Sequence, residues 1–319
     1  MAPILAGKRI ILAASGSIAV YKAIDLASKL TQAGAAVVVI MTEAAQKFVT
    51  PLTFQAVTGR AVYTDMWEDP ASDGMPTHIA HVGLAENADL MAVIPATANT
   101  IARLAAGMSD DLLTVTAIAA RCPLLIAPAM DGGMYAHPAV RENITKLTGR
   151  GVYLVEPDVG RFASGLTGKG RLPDTPTLIG HIRQVLGRTG PLVGRRVVVT
   201  AGGTREPLDP VRYITNHSSG KQGYAIAQAA VDAGAEVTLI SAVKGTDMRP
   251  PIGAMLVSVE TAEDMAAAVL EQTAQADVLV MAAAVADFRP ATRAEQKIKK
   301  RTRGDTPPPL ELARSLHTH

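Results

Sequence analysis

Three stretches of the sequence concentrate side chains that can hold an anion or move a proton. Residues 15–17 read SGS between an apolar run and a helical pattern. There Gly16 lets the backbone approach a phosphate, and Ser15 and Ser17 add hydroxyl donors at the start of a helix. Residues 215–223, TNHSSGKQG, place Asn216, Ser218, Ser219, Gly220 and Lys221 ahead of a second helical pattern. Residues 77–100 carry two histidines, His78 and His81, before an apolar run that ends in PATANT. Imidazole titrates near neutral pH and suits proton transfer there. Thr97 and Asn99 are placed to hydrogen-bond the polar edge of a ring or, equally, to cap a helix. The first turn lacks the full GxGxxG spacing, which favours a mononucleotide such as FMN over a dinucleotide.

Each stretch needs a scaffold that aims it. RIILAA (9–14), a helix over 18–34 closed by Gly34, AVVVIM (36–41), a helical segment broken at Pro51, LMAVIPA (90–96), helices within 99–121, PLLIAPAM (123–130) and GVYLVEP (151–157) alternate strand with helix. This rhythm predicts a parallel, doubly wound α/β sheet with right-handed crossovers. In such sheets ligands bind beyond the carboxyl ends of the strands, where the SGS turn sits. A Gly, Ser, Thr and Lys-rich loop over 160–177 precedes a helix beginning near residue 178, and a linker follows over 188–196. The pattern then restarts: RRVVVTAGGT echoes KRIILAASGS, and AGAEVTLI echoes AGAAVVVI. Strands at 255–260 and 277–288 flank a further helix. Two Rossmann-like domains are expected, over 1–187 and 188–319.

Bulk composition fits that reading. At 319 residues the chain exceeds the usual single core. Its apolar residues reach 48% with only 3% aromatics, the Ala, Val, Ile and Leu mixture of buried parallel strands. The formal charge of +2 offers no field for steering to nucleic acid or a membrane, so small molecules are the expected partners. No apolar run approaches the roughly 18 residues of a membrane span, and the N-terminus reads as a strand and not as a signal peptide. The single Cys122 excludes an intramolecular disulfide and suits a reducing cytoplasm.

SGSIAVYK, HVGLAENAD, PATANT and PAMDGGMY together resemble the flavin-dependent cysteine decarboxylases. With AGGTREPLDPVRYITNHSSGKQGYAIA, AAAVADFRPA and KIKK in the same chain, the sequence resembles the bifunctional phosphopantothenoylcysteine decarboxylase and phosphopantothenate-cysteine ligase of coenzyme A biosynthesis. The resemblance implies FMN on Ser15, Gly16, Ser17, Thr42 and the segment Pro95, Ala96, Thr97, Ala98, Asn99 and Thr100. It implies His81 as the acid/base, with His78 its neighbour, and Asp131, Met134 and Lys169 near the substrate. It also marks two departures. Asp131 stands where the family has asparagine, and Ser164 stands at or beside the place of a proton-donating cysteine. Lys169, water or the flavin are the other candidate proton sources.

In the second half the resemblance implies CTP, Mg²⁺, 4'-phosphopantothenate and L-cysteine as ligands. Gly202, Gly203, Thr204, Ser218, Ser219, Gly220, Ala283 and Asp287 then hold nucleotide and substrate, Asn216 serves the acyl cytidylate, and Lys297 neutralises the triphosphate. The metal ligands are left unassigned. The resemblance implies a homo-oligomer built on trimers, and further ligase elements beyond KIKK, so that the chain reads as truncated at its C-terminus. Three other readings stay open: a decarboxylase with a non-functional ligase half, a flavin-binding regulatory protein of the same fold, and a pyridine-nucleotide oxidoreductase.

Overall fold

The computed structural model describes residues 3–67, 80–162, 164–243, 248–298 and 309–315. His78, Lys299, Lys300 and residues 316–319, which carry parts of the readings above, lie outside them. The chain divides into two compact units, Met1–Leu186 and Gly187–His319.

The first unit runs β1 (Arg9–Ala14), α1 (Val20–Gln32), β2 (Ala36–Met41), α2 (Glu43–Gln46), α3 (Pro51–Thr58), β3 (Val62–Tyr63), α4 (Ala80–Ala85), β4 (Leu90–Ala96), α5 (Ala98–Ala106), α6 (Leu112–Ala119), β5 (Leu124–Pro128), α7 (Gly132–Ala136), α8 (Pro138–Gly149), β6 (Tyr153–Leu154), β7 (Asp158–Arg161), β8 (Thr167–Arg171) and α9 (Thr175–Gly187). Its main sheet is six-stranded in the order β3-β2-β1-β4-β5-β6, and every pairing in it is parallel. Alternate residues of β1 explain the unbroken apolar run. Ile10, Leu12 and Ala14 pack with Leu26, Phe54 and Ile182 on one face, while Ile11 and Ala13 pack with Ile101, Leu112 and Ile144 on the other. Pro51 opens α3, which accounts for the break in that helical pattern, and Gly34 takes φ +90° behind α1.

The second unit runs β9 (Arg196–Ala201), β10 (Arg205–Asp209), β11 (Arg212–Thr215), α10 (Lys221–Asp232), β12 (Glu236–Ser241), β13 (Ala254–Ser258), α11 (Ala262–Thr273), β14 (Val278–Met281), β15 (Phe288–Pro290) and β16 (Leu312–Arg314). Its parallel sheet has the order β13-β12-β9-β14. In both units the first strand sits between the second and fourth, so the chain reverses direction of travel between β1 and β4, and again between β9 and β14. Those reversals are the topological switch points at which α/β sheets hold ligands.

Three elements differ from expectation. The loop over 160–177 is largely an antiparallel hairpin, β7–β8. The run expected as one strand over 277–288 leaves the sheet after Met281, because the N–H groups of Ala282 and Ala283 turn to Thr200 Oγ1. The strand expected over 151–157 narrows to Tyr153–Leu154. A second antiparallel hairpin, β10–β11, lies within REPLDPVRYIT and had no sequence expectation.

Candidate functional site

At the first switch point the loop after β1 faces the end of β4. Ser15 is buried, donates its hydroxyl to Pro95 O at 2.7 Å and accepts the Thr97 N–H at 2.9 Å. Its own N–H also donates to Pro95 O. This corrects the reading of Ser15 as a phosphate donor: both its donors are spent tying β1 to β4. Gly16 has a packing reason of its own, since a Cβ there would meet Ala44 Cβ at 2.4 Å. Among the described residues no acceptor meets the N–H of Gly16 or Ile18, and the Ser17 hydroxyl makes only a 3.3 Å contact with the Ala19 N–H. These groups stand just ahead of α1, where an anion is favoured by the free N–H groups and the helix dipole.

Within PATANT the side chains of Pro95, Ala96 and Thr100 are buried. They shape the loop from behind and do not line it. Thr97 caps α5 by accepting the Thr100 N–H, the capping role that the sequence had left open. Asn99 is exposed, and its amide has no partner among the described residues. Thr42 caps α2 and borders a separate hollow of about 380 Å³ with Asp65 and Asp111, so it does not join the cleft described next.

A cleft of about 420 Å³ brings Ser17 together with Asp131, Ser164, Lys22, Arg161 and Arg171. Asp131 caps the short α7: its Oδ1 accepts the Gly133 N–H at 3.0 Å and its Oδ2 accepts the Ser164 hydroxyl at 2.8 Å. The two departures from the family pattern thus touch each other. The hairpin reaches α7 because its glycines permit it. Gly170 has φ +154°, and a Cβ there would meet Met130 O at 2.3 Å. The Phe162 ring lies over Gly132 and Gly168.

A neighbouring cleft of about 500 Å³ shares Asp131 and Phe162 with the first and adds Tyr135, Arg141 and Lys169. Lys169 Nζ pairs with Glu156 Oε2 at 2.6 Å, and the Tyr135 hydroxyl donates to the same oxygen at 3.0 Å. Partial burial opposes ionisation of Glu156, but the bonds from Lys169 and Tyr135 outweigh it and hold its carboxyl below the usual range. Burial, then Glu156, pushes the Tyr135 hydroxyl up. Met134 is half-exposed on α7.

His81 stands in the first turn of α4, at the end of that helix away from the start of β4. Its Nδ1 is buried and has no hydrogen-bond partner among the described residues. A buried, orphaned imidazole nitrogen is costly unless a ligand or a transferred proton satisfies it.

The second switch point is built alike. Gly202 has φ +88° and Gly220 φ +75°; a Cβ at either would strike Val243 Cγ2. Gly203 packs on Asn216 O. Ser218 and Ser219 accept the N–H groups of Gly220 and Lys221 just before α10. Asn216 donates Nδ2 to Val285 O at 3.0 Å, and its Oδ1 has no partner among the described residues. Thr204 is fully buried, and its hydroxyl accepts the Ala286 N–H at 2.9 Å. That corrects its assignment to substrate: it locks the loop instead. Ala283 and Asp287 lie on the chain that peels off β14, Ala283 donating its N–H to Thr200 and Asp287 accepting the Ser315 N–H.

Lys297 is exposed beside Ile298, whose N–H reaches Asp209 Oδ2 and whose carbonyl accepts from Arg212. Arg212's hydrogen bonds, assisted by backbone N–H donors against the cost of burial, hold the Asp209 carboxyl far below the usual range. Among the described residues no group of three His, Cys, Asp or Glu side chains gathers as a metal site.

Sequence reasoning missed Lys22, Arg161 and Arg171. The only signal was positional, since the two arginines bracket the glycine-rich stretch.

Two consecutive doubly wound units, each with a glycine and serine turn at its switch point, define a chain of two nucleotide-binding-type domains. Residues 4–187 match the family model described as Flavoprotein, and residues 192–317 match DNA/pantothenate metabolism flavoprotein C-terminal domain. The chain is 47% identical over 312 residues to the coenzyme A biosynthesis bifunctional protein CoaBC of Mycobacterium tuberculosis, covering 97% of this chain and 72% of that protein. It is 47% identical over 314 residues to that of Bacillus subtilis, covering 98% and 75%. A solved PPC decarboxylase mutant complexed with pantothenoylaminoethenethiol is 29% identical, with a TM-score of 0.49 over 56% of this chain and 97% of that one. The chain belongs to the CoaBC family of coenzyme A biosynthesis proteins. No helix among the described residues is long and apolar enough to cross a membrane.

Proposed function

We propose that the first unit decarboxylates 4'-phosphopantothenoylcysteine to 4'-phosphopantetheine with FMN, and that the second carries the site at which CTP and Mg²⁺ couple 4'-phosphopantothenate to L-cysteine. The observation that carries the first half is the cleft in which Ser17, from the phosphate turn, faces Asp131 and Ser164. The free N–H groups of Gly16 and Ile18 and the unpaired Asn99 amide are donors and acceptors of the kind a flavin mononucleotide needs. Bound FMN would take two electrons from the cysteine side chain, giving a thioaldehyde that lets the carboxylate leave as carbon dioxide, and would return them to the resulting enethiol, so that no outside oxidant is consumed.

The protein's own residues then place and protonate. The turn at residues 16–18 anchors the cofactor's phosphate. His81 exchanges a proton with the substrate, since its buried nitrogen has no partner among the described residues to occupy it. Ser164 hands on a proton through its bond to Asp131, and Lys169, held by Glu156, stands one cleft away.

In the second unit the open Asn216 carbonyl oxygen receives the cysteine amine as it attacks the acyl cytidylate, whose pyrophosphate has left. The glycine and serine turn at Ser218–Gly220 receives phosphate, and Lys297 with Mg²⁺ balances the charge. Homo-oligomer formation and a cytoplasmic location belong to the same reading.

The test is direct. Protein purified with FMN should be yellow and release carbon dioxide from phosphopantothenoylcysteine, and His81→Asn should lower kcat by about 100-fold or more while FMN stays bound. Retained flavin with no carbon dioxide would select the regulatory reading. With CTP, Mg²⁺, phosphopantothenate and cysteine, release of pyrophosphate tests the second site separately.

A further inference from the structure

The cleft of the first unit holds more positive charge than its cofactor turn requires. Arg161 closes β7 and Arg171 closes β8, on the two arms of one hairpin, and both line the cleft with Lys22. Gly160 allows this: a Cβ there would come within 3.2 Å of Arg171 Nη1, so the Arg171 side chain lies across β7 beside the residue before Arg161. Among the described residues neither guanidinium has an ion pair or hydrogen bond. Asp131, the acid in the cleft, has its oxygens committed to Gly133 and Ser164. Lys22 is turned to the carbonyls of Leu172 and Pro173. Burial, then Arg171, pulls the Lys22 ammonium below its usual value. Asp158 and Asp174 act on Lys22 as countercharges, but the two guanidiniums, with no partner among the described residues, leave forked donors at the cleft that a bound dianion can take.

We propose that Arg161 and Arg171 form a phosphate-monoester subsite that grips the phosphate of the substrate, and that preference for the phosphorylated substrate resides in the hairpin β7–β8. The inference rests on the decarboxylase reading above. Two guanidiniums offer forked donors that match phosphate oxygens, which a lysine does not. A phosphate monoester has two sources here, the cofactor and the substrate, and position favours the substrate. The cofactor's turn has its own N–H donors ahead of α1. The arginines sit on exposed strands, where a group arriving from solvent meets them first; Val159 of β7 is 72% exposed.

The experiment compares phosphopantothenoylcysteine with pantothenoylcysteine as substrates of the FMN-loaded protein, wild type against Arg161→Met, Arg171→Met and the double variant. Each arginine removed should cost about 10-fold or more in kcat/KM on the phosphorylated substrate, mostly through KM. The unphosphorylated substrate should lose far less, so the discrimination ratio collapses in the double variant, and Arg171→Lys should restore part of it. An unchanged ratio overturns the proposal. So does a parallel loss on both substrates with weaker FMN binding, read by flavin fluorescence, because the phosphate held would then be the cofactor's. Calorimetric binding of phosphopantetheine against pantetheine gives the same contrast without turnover. Arginine-dependent preference in binding, with no carbon dioxide from wild type, sinks the decarboxylase reading and keeps the subsite; no preference in binding sinks the subsite alone.

Discussion

Ser15 and Ser17 flank the same glycine, yet the structure gives them different work. The Ser15 hydroxyl is spent on Pro95 O and the Thr97 N–H, while Ser17 faces the cleft. Ser15→Ala leaves the Thr97 N–H without an acceptor in a buried place, so it should destabilise the protein without flavin by about 1–3 kcal/mol, read as a shifted denaturant midpoint. Ser17→Ala should leave that midpoint nearly unchanged and weaken FMN retention. If Ser15→Ala altered FMN affinity alone, Ser15 would be a ligand and not a tie. Thr204 in the second unit is an internal tie of the same kind, its hydroxyl consumed by the Ala286 N–H. The sequence points to these loops but not to which hydroxyl in them is already spent. A serine that caps, crosslinks or binds an anion is the same letter, and the partner that decides between these roles lies about 80 residues away.

At the scale of elements, parallel strands were legible and hairpins were not. A strand buried on both faces, such as β2 with AVVVIM, announces itself as an apolar run. The β7–β8 hairpin is exposed on most of its residues and reads as loop; only its glycines, needed against Met130 O and Phe162, betray close packing. The β10–β11 hairpin hid for a different reason. It is held by the nearly fully buried Asp209, which accepts from the Val211 N–H, Arg212 and the Ile298 N–H. That knot makes a pH prediction. The Asp209 carboxyl is held below its unfolded value of 3.8, so its contribution is fully present above that value and is lost as pH falls through the lower folded value. Asp209→Asn should therefore lower the melting temperature at pH 7 and at pH 5 by the same amount, with the difference from wild type shrinking only below about pH 4. A gap that already closed between pH 7 and 5 would assign the effect to another group. Because the Ile298 N–H is tied to Asp209, on the proposed function the same variant should weaken triphosphate binding through Lys297, read by calorimetric titration with CTP.

At the scale of the whole molecule, the repeated rhythm of strand and helix was plain in the sequence, while the unequal strength of its two halves was not. The first unit covers both faces of a six-stranded sheet with two large apolar clusters. The second has, among the described residues, a parallel sheet of four strands and two smaller clusters. Its last parallel strand, β14, leaves Val278, Leu279 and Met281 exposed by 43%, 41% and 40%. Apolar area kept from water is the main favourable term in folding, so the second unit gains less per residue and should melt first. Calorimetry should show two transitions and not one. On the proposed function FMN should raise only the upper transition, while CTP with Mg²⁺ should raise only the lower, each by an amount that grows with ligand concentration. A single transition that both ligands shift together would mean that the units unfold as one body, and the unequal cores would then not govern stability.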